Sequence, residues 1–283
     1  WLGIPKWPSA KIKPERLHFG NATLDAKPSA KSKNSMQSIL SPQTTGLGAG
    51  EWCAYGTGRV APELALDQIE DDAGSLCFDT TPLKKPLNIV GRPTVQLRLS
   101  SDKPQAFVCV RLNDVRPDGT VSRAAYGILN LSHRDSHEKP TKMKPGTFYT
   151  VEVALKGCAE SIPAGHKLRV AVSTSYWPMI WPSPENARIT LDTARCSIDL
   201  PVLRSEAGFK QVKFAPVEYA TPLKMTSKTA ATKERSVKHD IEAQRTHFVQ
   251  DQSDGWSVIN DIGTETSFSK RKEFWVSRND PSD

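Results

Sequence analysis

From about residue 87 onward the chain alternates apolar and polar positions with period two, the mark of half-buried β-strands. The pattern is clearest in Thr94–Ser100, where Val95, Leu97 and Leu99 fall on one face and Gln96 and Arg98 on the other. Similar strands are predicted over Ala106–Val115, Tyr126–Leu131, Phe148–Leu155, Lys167–Ser173, Arg188–Asp192 and Arg195–Val202. The turns between them are explicit. Pro117-Asp118-Gly119 combines a fixed φ, a side-chain acceptor and a residue tolerant of positive φ, and Lys144-Pro145-Gly146 and Pro163-Ala164-Gly165 repeat the theme. Many short strands punctuated in this way predict an all-β protein, a jelly-roll β-sandwich over residues 1–204. The 21 scattered prolines argue against long helices.

Two regions depart from that pattern. Residues 26–50 are rich in Ser, Lys, Thr and Gly and lack periodicity, which predicts a long flexible loop. Residues 205–283 form a β-rich C-terminal extension: Lys210–Tyr219 is strand-like, and Glu234–Ile241, Arg245–Gln252, Trp256–Asp261 and Thr264–Ser269 suggest an antiparallel meander with a hairpin at Asp254-Gly255. A last strand signal, Phe274-Trp275-Val276, lies close to the final residue and leaves open that the extension is truncated. A first residue of Trp rather than Met is expected of a sequence that starts inside a longer protein.

Composition narrows the partners. Net charge is +7, but residues 1–50 hold seven basic against two acidic residues, and the remainder is nearly neutral. The lysines of 6–33 lie among Ser, Pro and Ala, as in a solvated loop, so no nucleic-acid partner is expected. The apolar runs are short, so no membrane span is expected either. Five cysteines at wide spacing, with no C-x-x-C pair, indicate neither a zinc site nor a disulfide framework and suggest a reducing, cytoplasmic compartment.

Candidate chemistry is sparse. No G-x-S-x-G elbow is present, and the S-x-x-K spacings at Ser100, Ser136, Ser267 and Ser269 begin no credible buried helix. His133 and His137, in His133-Arg134-Asp135-Ser136-His137-Glu138, resemble a metal patch. Two rings four apart converge on a helix, however, and Pro140 with no flanking helix favours a polar inter-strand loop. The other four histidines read as isolated. Gly46-Leu47-Gly48-Ala49-Gly50 reads as a flexible stretch without the Lys-Ser/Thr of a phosphate loop, and Glu70-Asp71-Asp72 as a solvated, charged turn. The strongest local signal is Tyr176-Trp177-Pro178-Met179-Ile180-Trp181-Pro182-Ser183-Pro184, either a rigid binding wall or a packing plug.

These residues, taken in order, resemble the C-terminal domain of the X-Pro dipeptidyl-peptidase and cocaine-esterase-like (CocE/NonD) serine hydrolases. The resemblance runs through Trp1 and Trp7-Pro8, Leu76–Pro82, Ile89-Val90-Gly91-Arg92-Pro93 with Val95–Ser101, and Leu112–Gly119. It continues through Gly127-Ile128-Leu129, Ile162–Arg169 and Ser175-Tyr176-Trp177-Pro178, so it covers about residues 1–204; the rest looks like an extension found in some esterase-like relatives. It implies a galactose-binding-like jelly roll that packs on an α/β-hydrolase domain preceding Trp1 and carrying the whole Ser-Asp-His triad. The domain itself is then non-catalytic, holds no cofactor or metal, and helps shape the cleft for a peptide or ester substrate. By the same analogy, Tyr176, Trp177 and Trp181, with His133 and Arg134 in the polar loop 132–139, are candidates for the cleft or the domain interface. The alternative is an autonomous carbohydrate-binding jelly roll with Trp177 or Trp181 as the sugar-stacking platform. A stand-alone metal-dependent enzyme at His133/His137 is a third possibility, and a homo-oligomer stays open.

Overall fold

Alternation becomes layering in three dimensions. Val95, Leu97 and Leu99 are fully buried, and the matching positions of neighbouring strands close over them. A computed structural model describes residues 1–28, 35–55 and 62–282. In chain order the strands are β1 (Leu2–Gly3), β2 (Ile12–Phe19), β3 (Leu24–Asp25), β4 (Met36–Ile39), β5 (Leu76–Asp79), β6 (Leu87–Gly91), β7 (Thr94–Ser101), β8 (Phe107–Val115), β9 (Val121–Asn130) and β10 (Tyr149–Ala154). They continue as β11 (Cys158–Ile162), β12 (Lys167–Ser173), β13 (Ile189–Asp192), β14 (Ser197–Leu203), β15 (Lys210–Gln211), β16 (Met225–Thr229), β17 (Thr232–Asp240), β18 (Arg245–Ile259) and β19 (Thr264–Ser277). One short helix, α1 (Ile69–Ala73), precedes β5. Among the described residues no helix is long and apolar enough to cross a membrane.

Two antiparallel sheets face each other as a jelly-roll sandwich. One follows the order β11-β6-β14-β7-β13-β4, with β10 on β7, β2 on β14 and β3 on β2; the other is β5-β12-β8-β9. Between them lies one continuous apolar core, built from alternate positions such as Val108, Val110 and Leu112 of β8 and Leu168, Val170 and Val172 of β12. Strands β16 to β19 form a separate antiparallel sheet, the appendage, with β18 at its centre.

Three expectations change. Residues 35–50 pack instead of floating: β4 pairs with β13, and Ser41, Gln43, Thr45 and Ala49 are buried. Hydrogen bonds hold this segment where apolar periodicity is missing. Ser41 and Thr174 exchange a reciprocal pair, each backbone N–H donating to the other's hydroxyl at 2.9 Å. Residues 29–34 of the expected loop lie outside the described residues. Beyond β15, the stretch to Tyr219 forms no strand; Pro216 lacks a donor, and β15 meets only the two residues of β1. Asp254-Gly255 is a bulge within β18, not a hairpin, because pairing with β19 shifts register between Ser253 and Trp256. Gly255 has φ of +76°, and a Cβ there would stand 2.3 Å from Thr229 O.

Candidate functional site

The outer face of the β5-β12-β8-β9 sheet is also covered, so β8 is buried on both sides over Phe107–Asn113. Its outward positions, Phe107, Cys109, Arg111 and Asn113, meet Ala49 and residues 68–75, which fold across them. Sequence reading placed Asp71 and Asp72 in a solvated turn; both are buried in α1, because β8 and β12 offer them cations across the interface. Arg111 Nη2 lies 3.0 Å from Asp72 Oδ1, and Arg111 Nη1 lies 3.8 Å from Asp71 Oδ2. Arg169 of β12 reaches Asp72 at 3.0 Å and forks onto Asp79 at 2.6 and 2.8 Å. Asn113 donates to Asp72 at 3.1 Å, and Arg111 donates to Ser75 Oγ at 2.6 Å. Burial pushes both carboxyls up, opposed at Asp71 by the Gly46 N–H and Arg111 and at Asp72 by Arg111 and Arg169.

The same layer seats the aromatic loop. Gly46 N–H donates to Asp71 at 2.7 Å, so the stretch 46–50 is ordered under Tyr176 and not a free loop. Gly46 has φ of +114°, and a Cβ there would come within 2.5 Å of the Tyr176 carbonyl carbon. Tyr176 is fully buried against Ala49, Phe107, Cys109 and Tyr126, and its hydroxyl accepts from Arg123. Burial raises the phenol and pushes the Cys109 thiol beneath it up to about 12. Trp177 is also 0% exposed: its backbone N–H donates to Thr45 O at 2.9 Å, and its ring packs edge-on to Phe248 of the appendage, centroids 6.1 Å apart, beside Val276 and Leu47. Trp177 is therefore the plug that joins sandwich to appendage and is closed to a sugar ring, which removes half of the carbohydrate-platform reading. Trp181, four residues further on, is 70% exposed.

Sequence reading missed Trp52, which stands 59% exposed beside this loop. Its ring meets Tyr126 edge-on at 5.9 Å, and Lys156 Nζ lies 3.9 Å from its centroid. Nothing in its local sequence distinguishes it; the tier exists only because β9 carries Tyr126 under it. A cleft of about 280 Å³ opens alongside, bounded by Trp52, Pro178, Met179, Phe248, Lys272 and Phe274. One ion pair lies within its lining: Lys272 reaches Glu51.

His133 and Arg134 belong to a different neighbourhood. A 3-10 turn, Leu131–His133, leaves β9, capped by Asn130 Oδ1 accepting from Ser132 N–H at 3.0 Å. Arg134 donates to Leu131 O at 3.0 Å and Thr141 O at 2.8 Å and lies over the Tyr149 ring at 4.4 Å. No hydrogen bond or ring contact joins this loop to Tyr176, Trp177 or Trp181 among the described residues. Contrary to the helical requirement, His133 and His137 do meet, Nδ1 to Nδ1 at 3.3 Å. Three of the other histidines make structural pairings: His166 meets Asp114 at 2.8 Å, His239 meets Thr246 at 3.0 Å, and His247 meets Glu273 at 2.9 Å.

Among the described residues, no serine or cysteine side chain meets a histidine, so no nucleophile–base pair is assembled. Burial raises the Cys77 and Cys196 thiols to about 12 and that of Cys158 to about 11, which leaves these sulfurs protonated at neutral pH. The exposed chemistry is aromatic and cationic: it can recognise and pack.

Comparison with known proteins agrees. The family described as the X-Pro dipeptidyl-peptidase C-terminal non-catalytic domain matches residues 1–250, past Arg204 and into β18. Cocaine esterase from Rhodococcus sp. (strain MB1 Bresler) is 29% identical over 110 residues, which are 39% of this chain and 19% of that protein. The solved structure of an α-amino acid ester hydrolase superposes on 66% of this chain and 36% of its own with a TM-score of 0.58 at 21% identity. That of an aminopeptidase from the marine sediment archaeon Thaumarchaeota archaeon covers 70% of this chain and 37% of its own, with a TM-score of 0.59 at 20% identity. The chain thus spans between 19% and 37% of the length of each, the structural likeness speaks for the fold alone, and the family match identifies the chain: it belongs to the X-Pro dipeptidyl-peptidase C-terminal non-catalytic domain family.

Proposed function

We propose that this chain packs on an α/β-hydrolase domain of the same polypeptide and forms one wall of the cleft in which that domain hydrolyses an ester, amide or X-Pro peptide. The triad then comes wholly from the partner domain. One observation carries the reading: a run of large apolar side chains left exposed, as at a protein contact. Trp1, 92% exposed, meets Phe214 edge-on at 5.6 Å, and Val217, Tyr219 and Leu223 are exposed along the same segment, which forms no strand after Gln211.

Within this reading the aromatic loop divides its labour. Tyr176 and Trp177 hold it from behind, while Trp181 and Trp52 present rings that favour an acyl or side-chain group at low entropic cost. Peptidase or esterase preference rests with the partner domain. The five cysteines, free throughout, suit a reducing, cytoplasmic setting.

A serine-reactive fluorophosphonate and a p-nitrophenyl ester test it. The 283-residue chain should neither label nor turn over, and the polypeptide that also contains the hydrolase domain should do both. In that longer polypeptide, Phe214→Glu should loosen the domain packing, and Trp181→Ala should raise KM more than it lowers kcat. Stoichiometric labelling of a serine in the 283-residue chain would overturn the proposal.

A further inference from the structure

We propose that His133 and His137 form a chelate for a divalent late-transition-metal ion. The carrying observation is their separation. Two imidazole nitrogens bound to one ion at metal–nitrogen distances near 2.0–2.1 Å, at a tetrahedral angle, stand about 3.3 Å apart. The two Nδ1 atoms lie at 3.3 Å, with ring centroids 5.4 Å apart and planes tilted by 41°. A hydrogen bond between neutral rings would be long at that distance and would need opposite tautomers on the two rings.

The loop holds this spacing before any ion arrives. The 3-10 turn ends at His133, and Ser136 Oγ then accepts from the N–H groups of Glu138 at 3.2 Å and Lys139 at 3.1 Å. That second turn brings residue 137 back over residue 133 and replaces the missing helix. Arg134 points the other way, tied to Leu131 O and Thr141 O and stacked on Tyr149, and Asp135 lies 3.2 Å from its Nε, which offsets its charge next to an incoming cation. Preorganisation of this kind removes much of the ordering cost of binding. Among the described residues no cluster of three or more His, Cys, Asp or Glu side chains forms a metal cage. The pair therefore supplies two ligands and leaves the other positions to water.

The test is titration of the 283-residue chain with Cu²⁺, Ni²⁺ and Zn²⁺ by calorimetry, with ring ¹⁵N NMR during the Zn²⁺ titration. Expected are one ion per chain, shifts of the His133 and His137 Nδ1 resonances together, and weaker binding at pH 6 than at pH 8 as protons compete for the nitrogens. His133→Ala and His137→Ala should each weaken binding by about tenfold or more. His247→Ala serves as a control and should leave it unchanged. The proposal fails if the double His133→Ala/His137→Ala variant binds as the parent does, if the shifts fall on other histidines, or if no ion binds.

Discussion

In the sandwich, a strand of eight residues, β7, brings Val95, Leu97 and Leu99 to complete burial. In the appendage, strands of fifteen and fourteen residues fully bury little that is apolar beyond Phe248 and Val276, and both of these face Trp177. The backbone ladder is equally regular in both. What differs is whether a second layer lies opposite. Two sheets in the sandwich shield one another, whereas the appendage is a single twisted sheet whose apolar positions find a partner only where it touches the sandwich. A β-sheet can thus be long, well registered and still depend on its neighbour for order.

The sharpest way to break that contrast is at Arg111. Arg111→Ala leaves Asp71 and Asp72 buried without their shared cation and should cost about 3–5 kcal/mol, lost from the sandwich as a whole in one urea transition. If only the appendage loosened, the cluster would belong to the seam instead. Next is Phe248→Ala, a truncation worth about 3–5 kcal/mol when a buried phenyl ring is removed. The loss should be local: amides and protease sites in 225–277 should open while those of β7, β8 and β12 keep their hydrogen-exchange protection. Simultaneous opening of both regions would show that they share a single cooperative unit. Gly46→Ala should cost about 1–3 kcal/mol, since it puts a side chain at positive φ against the Tyr176 backbone, and the expected signature is a red-shifted Trp177 emission.

The smallest effect is at the surface. Arg16 forks onto Asp199 at 2.7 and 2.6 Å and holds that carboxyl below the ordinary range. A carboxyl lowered by folding adds stability above its unfolded pKa, and that share disappears as pH falls through the folded value. Asp199→Asn should therefore flatten the acid limb of a urea-midpoint profile below about pH 4 and leave neutral stability within about 1 kcal/mol, because both side chains face solvent.

Strand positions in the sandwich were readable because period-two burial leaves a direct trace in sequence: Lys167–Ser173 emerges as β12 with the same ends. The outer layer left no such trace. In β8 both faces are covered, so Cys109, Arg111 and Asn113 are as buried as Val108 and Val110, and a strand of this kind does not reveal which polar residues will find partners. Asp71 and Asp72 carry no local mark of burial either, since their cations come from strands about 40 and 97 residues away along the chain.

The sequence by itself determined the class of fold, the turns of the sandwich, the lack of a nucleophile elbow and the family resemblance, because short-range periodicity and turn chemistry act within a few residues. Tertiary structure alone decided that residues 35–50 pack, that Trp177 is sealed while Trp181 stays open, and that two histidines meet without a helix. Each of those outcomes depends on which distant backbone closes over a side chain, and no local pattern records that choice.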